Sequence, residues 1–355
     1  MGKVNSLNFS GQTLFCGIDV HKRSWRVNIR CNEFELADFS QDPREDILLR
    51  HLRKHYPGAN YAFTYEAGFS GFSVQRKLSA TGQSCIIVNP ADVPSSDKDK
   101  KRKSDRLDAR KLSRELSNGT LSGIYVPDLA MEHVRSLVRQ RSRLVRDQTR
   151  CKSRISHLLM FSGILTEQDD QGYWSNRWIE TLRQLPCGST ILRQTLDLAL
   201  DAYIQTRKLL SQATRQIRTL SREPVYAPLQ SLLQSIPGIG PTNGMVIMTE
   251  LQEMTRFRTL DKLCAYAGIV PDKSGSGERE TVKGITHRSN SYLRPALVES
   301  SWIIIRKDPA MLLLYKQYCK KMVPNKAIIK ISCHLLSRIR HVWLKQERYE
   351  VGIVG

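Results

Sequence analysis

Two apolar runs near the amino terminus, with four polar residues between them, constrain the fold of this chain more than any other feature. Residues 14–20 and 25–31 have the length and composition of β-strands, so we expect them to form neighbouring strands. Asp19 lies near the end of the first run. The sequence therefore raises the question of why a strongly basic chain places a carboxylate within its first strand pair.

The segments that follow predict an α/β domain over residues 1–125. We expect strands at residues 14–20, 25–31, 33–39, 61–67 and 85–88, and helices at 43–56, 74–78 and 104–116. The resulting order, β-β-β-α-β-α-β-α, is that of the ribonuclease H-like fold.

Two long segments in the middle of the chain have the spacing of amphipathic helices. Apolar residues recur every three or four positions over residues 131–162 and again over 192–220, and arginines occupy other faces of the first segment. Two such helices predict an antiparallel coiled coil or dimerisation region within residues 126–224. An ordinary helical bundle that packs on the core is the alternative.

The remaining residues, 225–355, are predicted to form a mostly α-helical domain. Its turn SIPGIGPTNG, residues 235–244, is typical of a helix-hairpin-helix, in which backbone amides near Gly238 and Gly240 bind a phosphate oxygen. A plain turn between two helices explains the same residues equally well.

The charge of the chain indicates what kind of partner it binds. It has 55 Lys and Arg against 34 Asp and Glu, a formal net charge of +21. Such a surface predicts a polyanion, because each phosphate contact releases condensed counterions. The charge is spread along the whole chain, which favours nucleic acid over a membrane surface. With no apolar run near the ~20 residues of a membrane span and no CxxC pair among eight cysteines, we expect a cytoplasmic protein with reduced thiols and no zinc.

Four carboxylates are candidates for one metal site. Glu66 ends the fourth predicted strand, beside the strand of Asp19, and Asp105 and Asp108 are three apart on a helix and share a face. A cluster of such residues requires cations, and Mg²⁺ (or Mn²⁺) prefers hard oxygen ligands and can clamp a phosphodiester. Each residue considered alone has an alternative explanation. An aspartate at a strand end is then a turn or cap residue, and Asp105 and Asp108 form a solvated helical face.

A second candidate site lies in PDKSGSGERETVKGITHRSNSYLR, residues 271–294. Small neighbours would leave the hydroxyl of Ser274 or Ser276 exposed, and a serine hydroxyl can attack a phosphodiester and hold the broken strand as phosphoserine. Basic residues that could bind the phosphate and stabilise its developing charge are Arg279, Lys283, His287, Arg288 and Arg294. The alternative is a surface loop whose basic residues only contact a nucleic-acid backbone.

Six motifs, in this order, resemble one family: GIDVHK, YEAG, KSDRLDA, SIPGIG, AYAGIVP and SGSGERETVKGITHRSNSYLRPAL. The chain is similar to the DEDD transposases of bacterial insertion sequences, which are kin to Piv-type invertases and are bridge-RNA-guided recombinases. The resemblance implies a RuvC-like N-terminal domain whose Mg²⁺ ligands fall on Asp19, Glu66, Asp105 and Asp108. It also implies a C-terminal transposase domain whose nucleophilic serine falls on Ser276, with Ser274 as a second Ser-Gly pair close by.

The resemblance also implies partners. Such enzymes act in the bacterial cytoplasm at the nucleoid, as homodimers or homotetramers that hold a structured noncoding RNA and two DNA duplexes. The long basic helices would supply the dimerising coiled coil and an RNA-facing surface, with candidate contacts at Arg139, Arg143, Arg146 and Arg150. Two departures from the family pattern are Ser104 in place of threonine before Asp105, and Glu278 where a small residue is common.

The predicted function is therefore a DNA transposase that excises and inserts its own mobile element, using a metal-binding acidic site and a serine nucleophile. One alternative is a RuvC-like, metal-dependent, structure-specific nuclease without serine chemistry. The other is a non-enzymatic nucleic-acid-binding protein.

Overall fold

A computed structural model describes residues 9–94, 105–165, 174–276 and 279–352, and leaves the side chains of Asp105 and of residues 272–283 undescribed. The chain forms two compact units, Met1–Val126 and Pro127–Gly355. The first unit has nearly the bounds of the predicted domain 1–125. A further division of the second unit at residue 224 stays a prediction.

The first unit is built on a mixed five-stranded sheet with the strand order β3-β2-β1-β4-β5. Strands β1, β2 and β3 pair antiparallel, and β4 and β5 extend the sheet parallel to β1. This order is consistent with the predicted ribonuclease H-like fold. The strands are β1 Thr13–Val20, β2 Trp25–Cys31, β3 Phe34–Gln41, β4 Asn60–Glu66 and β5 Ser84–Val88.

Helices cover both faces of this sheet. Helices α1 (Glu45–His55) and α2 (Ser73–Ser79) cover one face and bury its alternate strand residues, such as Ile18, Val27 and Tyr65. Helix α3 (Asp105–Ser117) lies on the other face, where Gly17 and Asn28 contact it. Side chains that alternate with the α1-facing residues therefore point towards α3.

The second unit begins with two long helices that run antiparallel, α4 (Leu129–Phe161) and α6 (Thr190–Leu220). Arg141 of α4 donates to Thr214 of α6 at 3.0 Å, whereas later residues of α4 pack with earlier residues of α6 in one apolar cluster. The short helix α5 (Asn176–Gln184) covers that cluster. The two predicted helices are thus present, one packed along the other.

The rest of the unit is mostly helical and has one large apolar core. The helices are α7 Ala227–Gln234, α8 Pro241–Leu251, α9 Leu260–Ala267, α10 Leu293–Lys307, α11 Pro309–Cys319 and α12 Pro324–Lys345. Between α9 and α10 lies an antiparallel hairpin, β6 (Pro271–Ser276) and β7 (Arg279–Ile285), where the sequence predicted only a loop. Glycine, serine and charged residues have low strand propensity, and for this reason the sequence did not predict the hairpin.

Candidate active site and nucleic-acid interface

Two predicted acidic residues lie at the same edge of the five-stranded sheet. Ile18 of β1 pairs with Tyr65 of β4 in a parallel ladder, so the next residues, Asp19 and Glu66, take equivalent positions at the carboxyl ends of neighbouring strands. Alternation places both on the face covered by α3. The Asp19 side chain is 21% exposed, so it is accessible from this edge.

Helix α3 approaches this face as closely as its backbone allows. A Cβ atom on Gly17 would overlap the carbonyl oxygen of Ala109 and the backbone nitrogen of Ser113. Ser113 Oγ also donates to Asn28 Oδ1 on β2 at 2.5 Å. Glycine at position 17 is therefore what allows α3 to lie on β1, two residues before Asp19.

The direction of α3 brings its amino-terminal turns to the acidic edge. Arg106 Nε donates to Asp38 of β3 at 2.9 Å, and Arg110 pairs with Glu35 of the same strand at 2.7 Å. The helix therefore runs opposite to β3, and also to β1, which is parallel to β3. Asp108 lies in the half of the helix nearer Asp19.

The described acidic side chains do not by themselves form a complete metal-binding site. Among the side chains that the structure describes, no group of three or more His, Cys, Asp or Glu has the spacing to hold a metal ion. Asp105, whose backbone begins α3, is outside this set. The chemistry of the donors still suits Mg²⁺, because Asp19, Glu66 and Asp108 are partly exposed carboxylates at one edge.

His21 is a neighbour of Asp19 that is not among the predicted site residues. Its Nε2 atom lies 3.1 Å from Asp19 Oδ2, and its side chain is about half exposed. The two residues are two apart, so strand alternation could have identified the contact from the motif GIDVHK. His21 can orient the carboxylate that we propose as a metal ligand.

The hairpin that carries the candidate serines is held firmly at its root. Thr286 N donates to Val270 O at 3.1 Å, and Arg294 Nη2 donates to Thr286 O at 2.5 Å. Gly268 has φ +74°, and a side chain there would collide with Ser289 and Arg294. Burial lowers the pKa of Arg294. Arg294, predicted to bind phosphate, thus holds the loop that follows β7.

The backbone of the hairpin places Ser276 at the end of β6, where it pairs with Arg279 at the start of β7. Ser274 lies two residues earlier and pairs with Thr281. The side chains of Ser274, Ser276, Arg279 and Lys283 lie outside the described part of the chain. Beyond β7, His287 and Arg288 are exposed, as a phosphate-binding role requires.

A fully buried carboxylate joins α4, α8 and the start of α10. Glu250 of α8 accepts hydrogen bonds from Arg139 Nε and Nη2 at 2.7 and 2.8 Å, and from Asn290 Nδ2 at 2.8 Å. Arg135 Nε lies 3.6 Å from the same carboxylate. Asn290 Oδ1 in turn accepts from the backbone nitrogen of Leu293. We call Glu250, Arg135, Arg139 and Asn290 the buried ion-pair cluster.

This cluster changes the interpretation of Arg139. Arg139 is one of the predicted nucleic-acid contacts, but in the structure its guanidinium pairs with Glu250 and stacks 4.7 Å from the ring centre of Tyr292. Arg143, Arg146 and Arg150 of the same helix are exposed, and Arg150 also pairs with Asp147 at 2.7 Å. Arg143 and Arg146 thus have no carboxylate partner among the described residues, whereas Arg150 has one in Asp147.

The two glycines of the predicted phosphate-binding turn differ in role. Gly238 has φ +94°, and a Cβ atom there would lie 2.5 Å from Ser300 O on α10, so this glycine permits close packing of the turn on that helix. Gly240 is exposed and precedes α8, where no side chain caps the first turn. Only Gly240 therefore lies where a phosphate could reach the amides of a helix start.

None of the helices in the described residues is long and apolar enough to cross a membrane.

Two segments of the chain match models of transposase families. Residues 16–162 match the DEDD transposase family of IS110, described as "Transposase", and residues 230–316 match the family described as "Transposase IS116/IS110/IS902 family". Among relatives, the y4qE protein of Sinorhizobium fredii is 26% identical over 244 residues, which is 68% of this chain but only 57% of that relative's length. The "Transposase for insertion sequence element IS1111A" of Coxiella burnetii is 20% identical over 257 residues, 71% of this chain and 70% of the relative. The chain thus contains, in order, a region that matches the DEDD transposase domain of IS110 and a region that matches the transposase domain of the IS116/IS110/IS902 family.

Proposed function

We propose that this chain is the transposase of a bacterial insertion sequence and that it cuts and rejoins DNA. The observation that carries the proposal is the match of residues 16–162 and 230–316 to transposase families, with Asp19 and Glu66 at equivalent positions on neighbouring parallel strands. The net charge of +21 supports a polyanionic substrate.

The acidic edge would hold the metal. Asp19, Glu66 and Asp108, together with Asp105, would be the ligands of Mg²⁺ or Mn²⁺. A bound divalent ion supplies charge neutralisation at the scissile phosphate and lowers the cost of forming an oxyanion. His21 would keep the Asp19 carboxylate oriented towards the edge, since its ring already contacts Asp19 Oδ2.

Ser276 would be the nucleophile. Its Oγ atom gives up a proton and attacks the phosphorus, a bond forms between Oγ and phosphorus, and the bond from phosphorus to one deoxyribose oxygen breaks. That oxygen takes up a proton and leaves as a hydroxyl, while the other strand end stays linked as a phosphoserine. Attack by a hydroxyl of another DNA end reverses these steps and joins the strands. Ser274 is the alternative nucleophile.

The substrate would be chosen by a noncoding bridge RNA bound to the basic surface. Exposed arginines of α4 support this role, because Arg143 and Arg146 lie on a helix with no acidic partner in hydrogen-bond contact with them among the described residues. Phosphate contacts of this kind position a nucleic acid without reading its sequence.

Strand cleavage tests the acidic edge. We expect Asp19→Asn to reduce Mg²⁺-dependent cleavage of DNA carrying the ends of the element at least about 100-fold, because it removes a charged metal ligand. The protein should be produced with its flanking DNA, so that any cognate RNA is made. Asp42→Asn, which changes an exposed aspartate of the same unit, is the matched control and should cleave normally. Full cleavage by Asp19→Asn would disprove the metal assignment.

An exposed, uncharged stripe on α6 supports assembly of two or more copies. Its members recur with spacings of four and three, and all are exposed: Ile191, Thr195, Leu198, Ala202, Gln205, Leu209, Gln212 and Gln216. Leu198 is 72% exposed and Leu209 is 51% exposed. Heptad spacing of this kind is what pairs helices of separate chains, so we propose the stripe as the dimer contact.

Mass measurement in solution tests this contact. We expect the protein to have at least twice the mass of one chain by light scattering, and the double variant Leu198→Glu/Leu209→Glu to become monomeric, because facing charges repel in a dimer seam. Lys208→Glu changes an exposed residue of the same helix outside the stripe and should leave the mass unchanged. A double variant that keeps the wild-type mass would rule out this contact.

A further inference from the structure

A cationic cavity lies in the second unit where α4, the start of α8 and the start of α10 meet. Its volume is about 140 Å³. Arg141 and Arg146 line it from α4, Asn243 from the first turn of α8, and Ser291 and Tyr292 from the residues before α10. The acidic edge and the serine hairpin contribute no residue to it.

The two arginines of this cavity carry charge that no described carboxylate neutralises at close range. Neither guanidinium lies within salt-bridge distance, 4 Å, of a carboxylate in the described part of the chain. Glu299 also lines the cavity, and it acts on Arg141 only through space. Burial lowers the pKa of Arg141, with Glu299 opposing that shift. A partly buried guanidinium without an ion-pair partner is costly unless an anion completes its contacts.

Both guanidinium groups are held in place before any ligand arrives. Arg141 Nε donates to Thr214 Oγ1 at 3.0 Å, which leaves the terminal nitrogens for other contacts. Arg146 lies over the ring of Tyr292, 5.6 Å from its centre. Groups fixed in this way lose less side-chain entropy on binding, which favours a defined contact over a diffuse one.

The start of α8 adds backbone hydrogen-bond donors, which can also bind an anion. Gly240 occupies the N-cap position; Gln230 Nε2 donates to the carbonyl of Pro241 at 2.6 Å, and no described side chain accepts from the backbone amides of the first turn. The first turn of α8 therefore leaves backbone amides without a capping side chain at the positive end of an eleven-residue helix, and Asn243 of that turn lines the cavity.

We propose that this cavity binds a backbone phosphate of a polynucleotide, with Arg141, Arg146 and the first turn of α8 as its ligands. The proposal rests on the proposed function only in that the nucleic acid is present as substrate or guide. Arg146 lines the cavity and belongs to the exposed arginines of α4, so a polynucleotide whose phosphates follow α4 would bring one of them to this residue. A phosphodiester is the shared chemistry of DNA and RNA, and the experiment separates them.

Fluorescence anisotropy with the full-length protein tests the proposal. The probes are a labelled single-stranded DNA, an RNA of the same sequence and a duplex of that DNA. We expect Arg146→Gln to weaken binding of at least one probe about tenfold and to lower the slope of log affinity against log salt by about one, since one phosphate contact is lost. Arg258→Gln, at an exposed arginine outside the cavity, should change affinity less than twofold.

Arg141→Gln gives a second measurement, because Arg141 is half buried and its loss can affect folding. Thermal unfolding of each variant shows whether it folds, and a folded Arg141→Gln protein should lose affinity for the same probe as Arg146→Gln. Equal affinities of wild type, Arg146→Gln and Arg258→Gln for all three probes would overturn the proposal, even if the protein cleaves DNA. Selective loss in the cavity variants would uphold it, even if no cleavage is found.

Discussion

Glu250→Ala should lower the free energy of unfolding of this protein by about 3–5 kcal/mol. Glu250 is fully buried and is the acid of the buried ion-pair cluster. Removing it leaves the partly buried guanidinium of Arg139 without its carboxylate, and Arg135 loses the same partner. The cost of an unpaired buried charge is much larger than the gain from any surface ion pair.

The consequences should reach the root of the serine hairpin. Asn290 donates to Glu250 and also accepts the hydrogen bonds that begin α10, just after the loop held by Arg294. We therefore expect the variant to lose DNA cleavage at temperatures where it is still folded. Glu250→Gln keeps the shape and one acceptor oxygen, so it should be destabilised less than Glu250→Ala.

Urea denaturation at neutral pH measures this effect, with Glu253→Ala as the control. Glu253 is an exposed glutamate three residues further along the chain, and its loss should change the free energy of unfolding by less than about 0.5 kcal/mol. If Glu250→Ala unfolds at the same urea concentration as Glu253→Ala, the buried ion-pair cluster does not stabilise the fold.

The same cluster predicts a pH dependence of stability. Burial alone would raise the pKa of Glu250, but hydrogen bonds from Arg139 and Asn290 and the charge of Arg135 hold that pKa below its ordinary value. A carboxylate with a lowered folded-state pKa stabilises the protein above its ordinary pKa, about 4.3, and loses that contribution as the pH falls through the folded-state pKa. The difference in the free energy of unfolding between wild type and Glu250→Ala should therefore be largest at pH 7 and should decrease as the pH falls into the acidic range.

The sequence predicted the sheet of the first unit because its signals are local. Strand-like runs and short connections indicate which segments form strands, and β1–β5 lie within a few residues of the predicted bounds. The edge position of Asp19 and Glu66 followed from strand order alone. The close approach of α3 to β1 could not be predicted from the sequence. It depends on Gly17, whose role is visible only when the positions of the helix and the strand are both known.

Roles that depend on distant partners were not predictable from the sequence. Arg139 is one of several arginines on α4, and only its distance to Glu250, 111 residues further along the chain, separates it from the exposed ones. Gly238 and Arg294 lie in motifs that suggest phosphate binding, whereas both hold the chain against its own core. The β6–β7 hairpin was missed because its pairing overrides a composition typical of a loop.

Ser276→Ala should abolish the covalent link between protein and DNA. If Ser276 Oγ forms the bond to phosphorus, alanine has no atom that can replace it, so the effect is a complete loss and not a reduced rate. The position of Ser276 at the end of β6, in a strand pair anchored at its root, suits a nucleophile that must reach a duplex. Ser274→Ala, two residues earlier on the same strand, is the matched control and should keep the link.

The most direct test of the whole account is therefore a covalent-adduct assay. The protein, produced with its flanking DNA, is mixed with target DNA and Mg²⁺, denatured, and examined for DNA attached to protein. We predict an adduct with wild type and Ser274→Ala, and none with Ser276→Ala or Asp19→Asn. Cleavage without an adduct in any sample would contradict the serine mechanism and indicate a metal-dependent nuclease. Binding without cleavage would indicate a nucleic-acid-binding protein that is not an enzyme.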